Sequence, residues 1–179
     1  MLVTYNTYRL NRLYRLLKEI DVTTLVLSGN PRPGSRTLTL AVAVGEALSD
    51  TPPSVIDVGE LGAGLLTPGD PATAAAVQAL HDATLLVVAT PTYKGSYTGI
   101  LKVLLDQLPA NALAGKTAVP VITAGVQPQA DAAAGHLNAL LGELGATLRP
   151  AVTATEAELA DIPAVVSHAT AAGAARPGA

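Results

Sequence analysis

The sequence predicts an α/β domain built on a doubly wound, five-stranded parallel sheet of order 2-1-3-4-5, with helices on both faces. Three observations carry that expectation. Apolar, β-branched runs alternate with helix-length segments through short connections, the pattern of repeated βα units. One run, ATLLVVAT at 83–90, is apolar without alternation, as a strand covered on both faces must be. Loops rich in glycine, proline and hydroxyls follow the first, third and fourth runs, where an open α/β sheet places its ligand.

Taken in order, VTTLVLS (22–28) is the first strand, and TLTLAVAVGEALSD after it has the length and composition of a helix. SVIDV (54–58) is the second strand. A Gly/Pro-rich connection leads to a helix over about Pro71–His81, with proline at a tolerated early position. ATLLVVAT is the third strand, and ILKVLLDQL continues as a helix with apolar residues at 100, 101, 104, 105 and 108. KTAVPVITA (116–124) is the fourth strand, although Pro120 cannot donate to a ladder. A helix over about 130–144 and a fifth strand near TLRPAVT complete the unit, Pro150 placing that strand at an edge.

The ends differ in kind, dividing the chain into an N-terminal extension (1–21), the domain (22–166) and a flexible Ala/Gly-rich tail (167–179). The first twenty residues carry Arg9, Arg12, Arg15 and Lys18 among leucines and three of the five tyrosines. They read either as an amphipathic helix for a partner subunit or acidic surface, or as a solvated extension.

Composition narrows the function. Of the 179 residues, 49% are apolar and 14% charged, as in a compact globule. A formal charge of -3 gives no general attraction to nucleic acid or an anionic membrane. With no cysteine the chain has no disulfide framework and no thiolate chemistry, which fits a cytoplasmic location. No apolar stretch approaches the roughly 20 residues of a membrane span, and arginines interrupt the N-terminal region where a signal peptide would be apolar.

The loop SGNPRPGSRTLT (28–39) is built for an anion. Asn30, Ser35, Thr37 and Thr39 offer side-chain donors, Arg32 and Arg36 offer cationic forks, and Gly29 and Gly34 let the backbone approach closely. The next helix adds main-chain N–H groups at its start. Neither G-x-x-x-x-G-K-[ST] nor G-x-G-x-x-G is present, so a single terminal phosphate suits the loop better than a triphosphate or a dinucleotide bridge. The bland alternative is a βα turn that caps a helix and binds nothing.

A second loop, PTYKGSYTG, follows the buried third strand. It reads as an open segment whose amides face a flat polar heterocycle, or as ordinary packing of half-buried tyrosines around a solvated Lys94. With the order 2-1-3-4-5 the first and third strands flank the switch point, so the two loops face each other. The three histidines are separate: His81 and His168 read as helix-surface residues, and His136 lies near the third loop, facing either a ligand or an interface.

SGNPRPGSRT, ATPTYKGSYTGILKVLLDQLP and GKTAVPVITAG together resemble the NADPH-dependent FMN reductases of flavodoxin-like fold, in particular the flavin reductases that serve alkanesulfonate monooxygenases. The resemblance spans about residues 22–150. It implies a flavodoxin-like FMN-binding domain, with the FMN phosphate held by Asn30, Arg32, Ser35, Arg36, Thr37 and Thr39. The isoalloxazine edge would lie against Pro91, Thr92, Tyr93 and Lys94 and against Thr123, Ala124 and Gly125. It further implies reduction by NADPH or NADH without a catalytic side chain, transfer of reduced flavin to a monooxygenase, and a homodimer or homotetramer. Asn30 replaces a common serine, Leu38 falls among positions often hydroxylic, TAGVQPQAD replaces a more usual T-G-G, and no tyrosine stands near Gly135 and His136.

Two rivals share the fold. One keeps FMN bound and reduces quinones, azo dyes or metal oxyanions; the other is an electron carrier. Carriers sandwich flavin between aromatic side chains, and this chain has no Trp or Phe. An open flavin face suits a reductase.

Overall fold

A computed structural model describes residues 23–172. Strands β1 (Thr24–Ser28), β2 (Ser54–Asp57), β3 (Leu85–Pro91) and β4 (Thr117–Ala124) pair in parallel in the order β2-β1-β3-β4, and the fifth position lies beyond β4. The expected doubly wound order 2-1-3-4-5 is the one observed.

Alternation along the strands explains the two layers. Leu25, Leu27, Leu86, Val88, Ala118 and Ile122 point to one face, where helices α3 (Pro71–Asp82), α4 (Gly99–Leu105) and α5 (Gln127–Glu143) cover them. Val26, Leu85, Val87, Ala89, Val119 and Val121 point to the other, under α1 (Arg36–Leu48) and α6 (Ile162–Ala171). β3 is buried along its whole length, as its uninterrupted apolar run requires. A short helix, α2 (Val58–Leu61), was not legible in the sequence.

β4 carries Pro120 inside the sheet. The Ala118 carbonyl accepts from Arg149 N at 2.9 Å, so Ala118, Pro120 and Ile122 turn their main-chain groups toward the fifth position and Val119 and Val121 toward β3. The missing N–H therefore faces the fifth position. There the partner is itself broken, into β5 (Thr147–Leu148) and β6 (Val152–Thr155), and pairing passes from Ala118↔Leu148 to Val121↔Val152. The single strand expected near TLRPAVT is two pieces in one position, interrupted at Pro150 opposite Pro120.

Residues 167–171, expected at the start of the C-terminal tail, belong to α6. Asp161 accepts from Ala164 N at 3.2 Å to cap α6, and proline stands in its first turn. Val165, Val166 and Ala169 then pack against the second core cluster. Alanine-rich sequence looks of low complexity, yet alanine is the best helix former once a cap and an apolar face are supplied. Residues 173–179 and the extension at 1–21 lie outside the described residues. No helix among the described residues is long and apolar enough to cross a membrane.

Candidate functional site

Three loops meet at the carboxyl ends of β1, β3 and β4. Gly29 N donates to the Ala89 carbonyl at 2.7 Å, and Thr92 N donates to the Thr123 carbonyl at 2.8 Å. The Thr98 hydroxyl donates to the Gly29 carbonyl and accepts from Leu101 N, so one buried side chain ties the first loop to the start of α4. Gly29 has no room for a side chain, because a Cβ there would lie 2.6 Å from Leu101 Cβ.

The first loop ends at α1. Ser35 caps that helix by accepting from Leu38 N at 3.3 Å, with its backbone extended as a cap requires. The first turn has no acidic residue, and the N–H groups of Arg36 and Thr37 have no intrahelical partner. The positive end of a 13-residue helix thus opens onto the crevice. Arg32 and Thr39 are exposed, and the Thr39 hydroxyl bonds back to the Ser35 carbonyl at 3.3 Å.

Two of the sequence-selected donors are turned inward. Asn30 is 7% exposed, accepts from Arg32 N at 3.0 Å and donates to Thr37 Oγ1 at 3.3 Å. Thr37 is buried, with its hydroxyl 2.7 Å from that of Thr123. These side chains shape the loop and join it to β4. Arg36 is engaged as well, in an ion pair with Glu156 just beyond β6.

PTYKGSY is not the open segment expected. Tyr93 and Ser96 exchange main-chain hydrogen bonds at 3.0 and 3.3 Å across a two-residue turn. Lys94 at φ 55° and Gly95 at φ 80° both adopt the left-handed region, as a type I′ turn demands. The Thr92 and Tyr93 amides are thereby spent within the protein. What faces outward is the Tyr93 ring, 45% exposed, and the tip of the turn. The Thr92 hydroxyl is buried without a hydrogen-bond partner. In the third loop Thr123 and Ala124 are buried and Gly125 is exposed.

Four residues that sequence reasoning missed hold the site together. Asp57, at the end of β2, accepts from Gly34 N at 2.9 Å and Gly59 N at 3.4 Å, bracing the loop from the neighbouring strand. A carboxylate ending the strand next to β1 was the available signal. Thr98 is the hinge between two loops, and Glu156 answers Arg36. Ser96 Oγ lies 3.2 Å from His136 Nδ1, fastening the turn to α5, so His136 braces the second loop from outside. His81 and His168 lie exposed on helices.

Helix terminus, braced loop and turn stand at the β1/β3 switch point of an α/β protein of flavodoxin-like fold, where such sheets place their ligands. The family described as NADPH-dependent FMN reductase matches residues 22–159, and the chain belongs to it. It is 38% identical over 146 residues to the NADH-dependent FMN reductase SfnF of Pseudomonas fluorescens, covering 76% of this chain and 78% of that protein. It is 35% identical over 146 residues to the NADH-dependent FMN reductase SfnE of Pseudomonas putida, with the same shares covered. A solved structure of NADH:FMN oxidoreductase (EMOB) in its apo form superposes with a TM-score of 0.70 at 32% identity, over 87% of this chain and 92% of that one. The protein is thus an NAD(P)H-dependent FMN oxidoreductase, with FMN and NAD(P)H as its redox partners.

Proposed function

We propose that FMN lies across the crevice with its 5′-phosphate at the N-terminus of α1 and its ring beside the Tyr93–Ser96 turn and the Thr123–Gly125 segment. The observation that carries this is the α1 terminus, with its Ser35 cap, no acid in the first turn and Arg32 exposed beside it. Arg32, the Ser35 hydroxyl and the Arg36 and Thr37 amides hold the phosphate, while Asn30 and the Thr37 hydroxyl keep the loop in shape. Thr39 stands a turn further along, with its hydroxyl already bonded.

The ring site fits a planar heterocycle. The unpartnered Thr92 hydroxyl is a polar group awaiting a polar edge. Pro91 and Ala124 form the apolar floor at the ends of adjacent strands. Tyr93, Lys94 and Gly125 supply the rim. FMN brings the hydride-accepting chemistry, and the chain's part is to orient it against nicotinamide.

We further propose that FMN comes and goes as a substrate and leaves reduced for a flavin-dependent monooxygenase, from a homodimer or homotetramer in the cytoplasm. The names of the FMN reductases it resembles and the absence of Trp and Phe support an exchangeable flavin. A steady-state assay crossing NADPH and NADH with FMN, FAD and riboflavin tests it. Colourless protein that oxidises NAD(P)H only when FMN is added supports the reading. Yellow protein with stoichiometric FMN makes the flavin a prosthetic group instead, and no NAD(P)H oxidation with any flavin overturns the reading.

A further inference from the structure

Arg36 is the first residue of α1, at the mouth of the phosphate loop, yet its guanidinium is paired with Glu156. The partner's place is fixed by the fold. Glu156 N donates to the Ala124 carbonyl at 2.9 Å, which docks the residue beside the end of β4 and the third loop. Its neighbour Thr155 is held in turn by Glu158, whose carboxylate accepts from Thr155 N at 2.8 Å and from its hydroxyl at 2.7 Å. A carboxylate is therefore built into the rim, in addition to Asp57, which braces the loop from β2.

We propose that Glu156 is an internal competitor for the FMN phosphate, holding the Arg36 guanidinium that the phosphate dianion would otherwise engage. This rests on the phosphate reading above. Arg36 cannot present its fork to both anions, and once it turns to the phosphate the Glu156 carboxylate is left close to a like charge. The pair is accessible enough to open, with side-chain exposures of 61% and 55%. Glu156 thus weakens the hold on FMN and speeds its release, which is what a flavin used as substrate requires. Its action is confined to ligands carrying the phosphate.

The test is flavin binding by fluorescence quenching, with FMN and riboflavin in parallel, on the wild-type chain, Glu156→Gln, Arg36→Ala and the double variant. An exposed ion pair resists separation by a factor of up to about five. Glu156→Gln is therefore expected to tighten FMN about three- to fivefold, to slow its release and to leave riboflavin unchanged. In the Arg36→Ala background the same substitution should give a smaller gain. No change, or weaker FMN binding, in Glu156→Gln overturns the proposal. An equal gain for riboflavin also overturns it, since the effect would then not pass through the phosphate. If the wild-type chain binds FMN and riboflavin equally, the phosphate reading itself fails, and the proposal falls with it.

Discussion

The hydroxyl of Thr37, in the first turn of α1, lies 2.7 Å from that of Thr123, near the end of β4. The two residues are 3% and 4% exposed, and Asn30 adds its amide to the same oxygen. Thr37→Val removes the shared hydroxyl while keeping the volume, leaving buried polar groups unmatched at a cost of about 1–3 kcal/mol. Urea unfolding should record that loss. Thr37→Ser should retain most of the stability; if it unfolds as readily as the valine variant, the hydroxyl pair is not what matters.

Arg32 is exposed at the loop and sits outside the Arg36–Glu156 pair. With the phosphate placed as proposed, loss of a charge-assisted hydrogen bond from Arg32 is expected to weaken FMN by about tenfold or more in Arg32→Ala. Riboflavin binding should barely move. Titration of both flavins checks this, and equal losses would count against a phosphate contact.

Thr98 is 3% exposed and joins the Gly29 carbonyl to the amide end of α4. Thr98→Val removes a cap and a buried tie together, a loss of about 1–2 kcal/mol. Because Gly29 begins the loop proposed to hold the FMN phosphate, flavin affinity should fall with stability. Denaturation and FMN titration of one sample check both, and unchanged affinity would mean the loop keeps its shape alone.

At the Tyr93–Ser96 turn, Gly95 occupies φ 80°. A β-branched side chain there is strained, so Gly95→Val should destabilise the protein by about 1–2 kcal/mol and raise KM for FMN by displacing the turn. Thermal melts and the flavin dependence of NAD(P)H oxidation measure the two effects. A variant with normal KM would detach the turn from the ring site.

Asp70 caps α3 by accepting from Thr73 N at 2.8 Å, and that hydrogen bond holds its carboxyl below the ordinary value of 3.8. Glu158 is lowered in the same way by Thr155. A carboxyl with a depressed pKa in the folded state binds its proton more readily when unfolded. Its contribution is therefore present above the unfolded pKa and lost as pH falls through the folded one. Melting temperature should decline on acidification into this range, and Asp70→Asn should flatten the decline. An unaltered acid limb in that variant would remove Asp70 from the explanation.

β3 was legible because it is buried on both faces, and such burial writes itself as a run of leucine and valine; β4 was legible from its flanking valines and Ile122 despite Pro120. The loop between β1 and α1 was legible from its glycines and prolines. The ties were not. Asp57 to Gly34 joins residues 23 apart and Arg36 to Glu156 joins residues 120 apart, and no local pattern announces a contact that only the strand order creates. The Tyr93–Ser96 turn could have been found, since Lys-Gly between two pairing residues suits a turn with both central residues left-handed. Reading it as open gave its amides to a ligand when the protein uses them itself.

The paired interruptions at Pro120 and Pro150 bear on what the molecule does among its own copies. The margin of the sheet beyond β4 consists of a two-residue and a four-residue piece, separated by residues 149–151, of which Pro150 cannot donate. A long straight margin would offer a row of free main-chain groups on which a foreign strand could zip. Broken in this way, that edge offers a newcomer no continuous run to copy, so a foreign strand meets only short lengths of free main chain there.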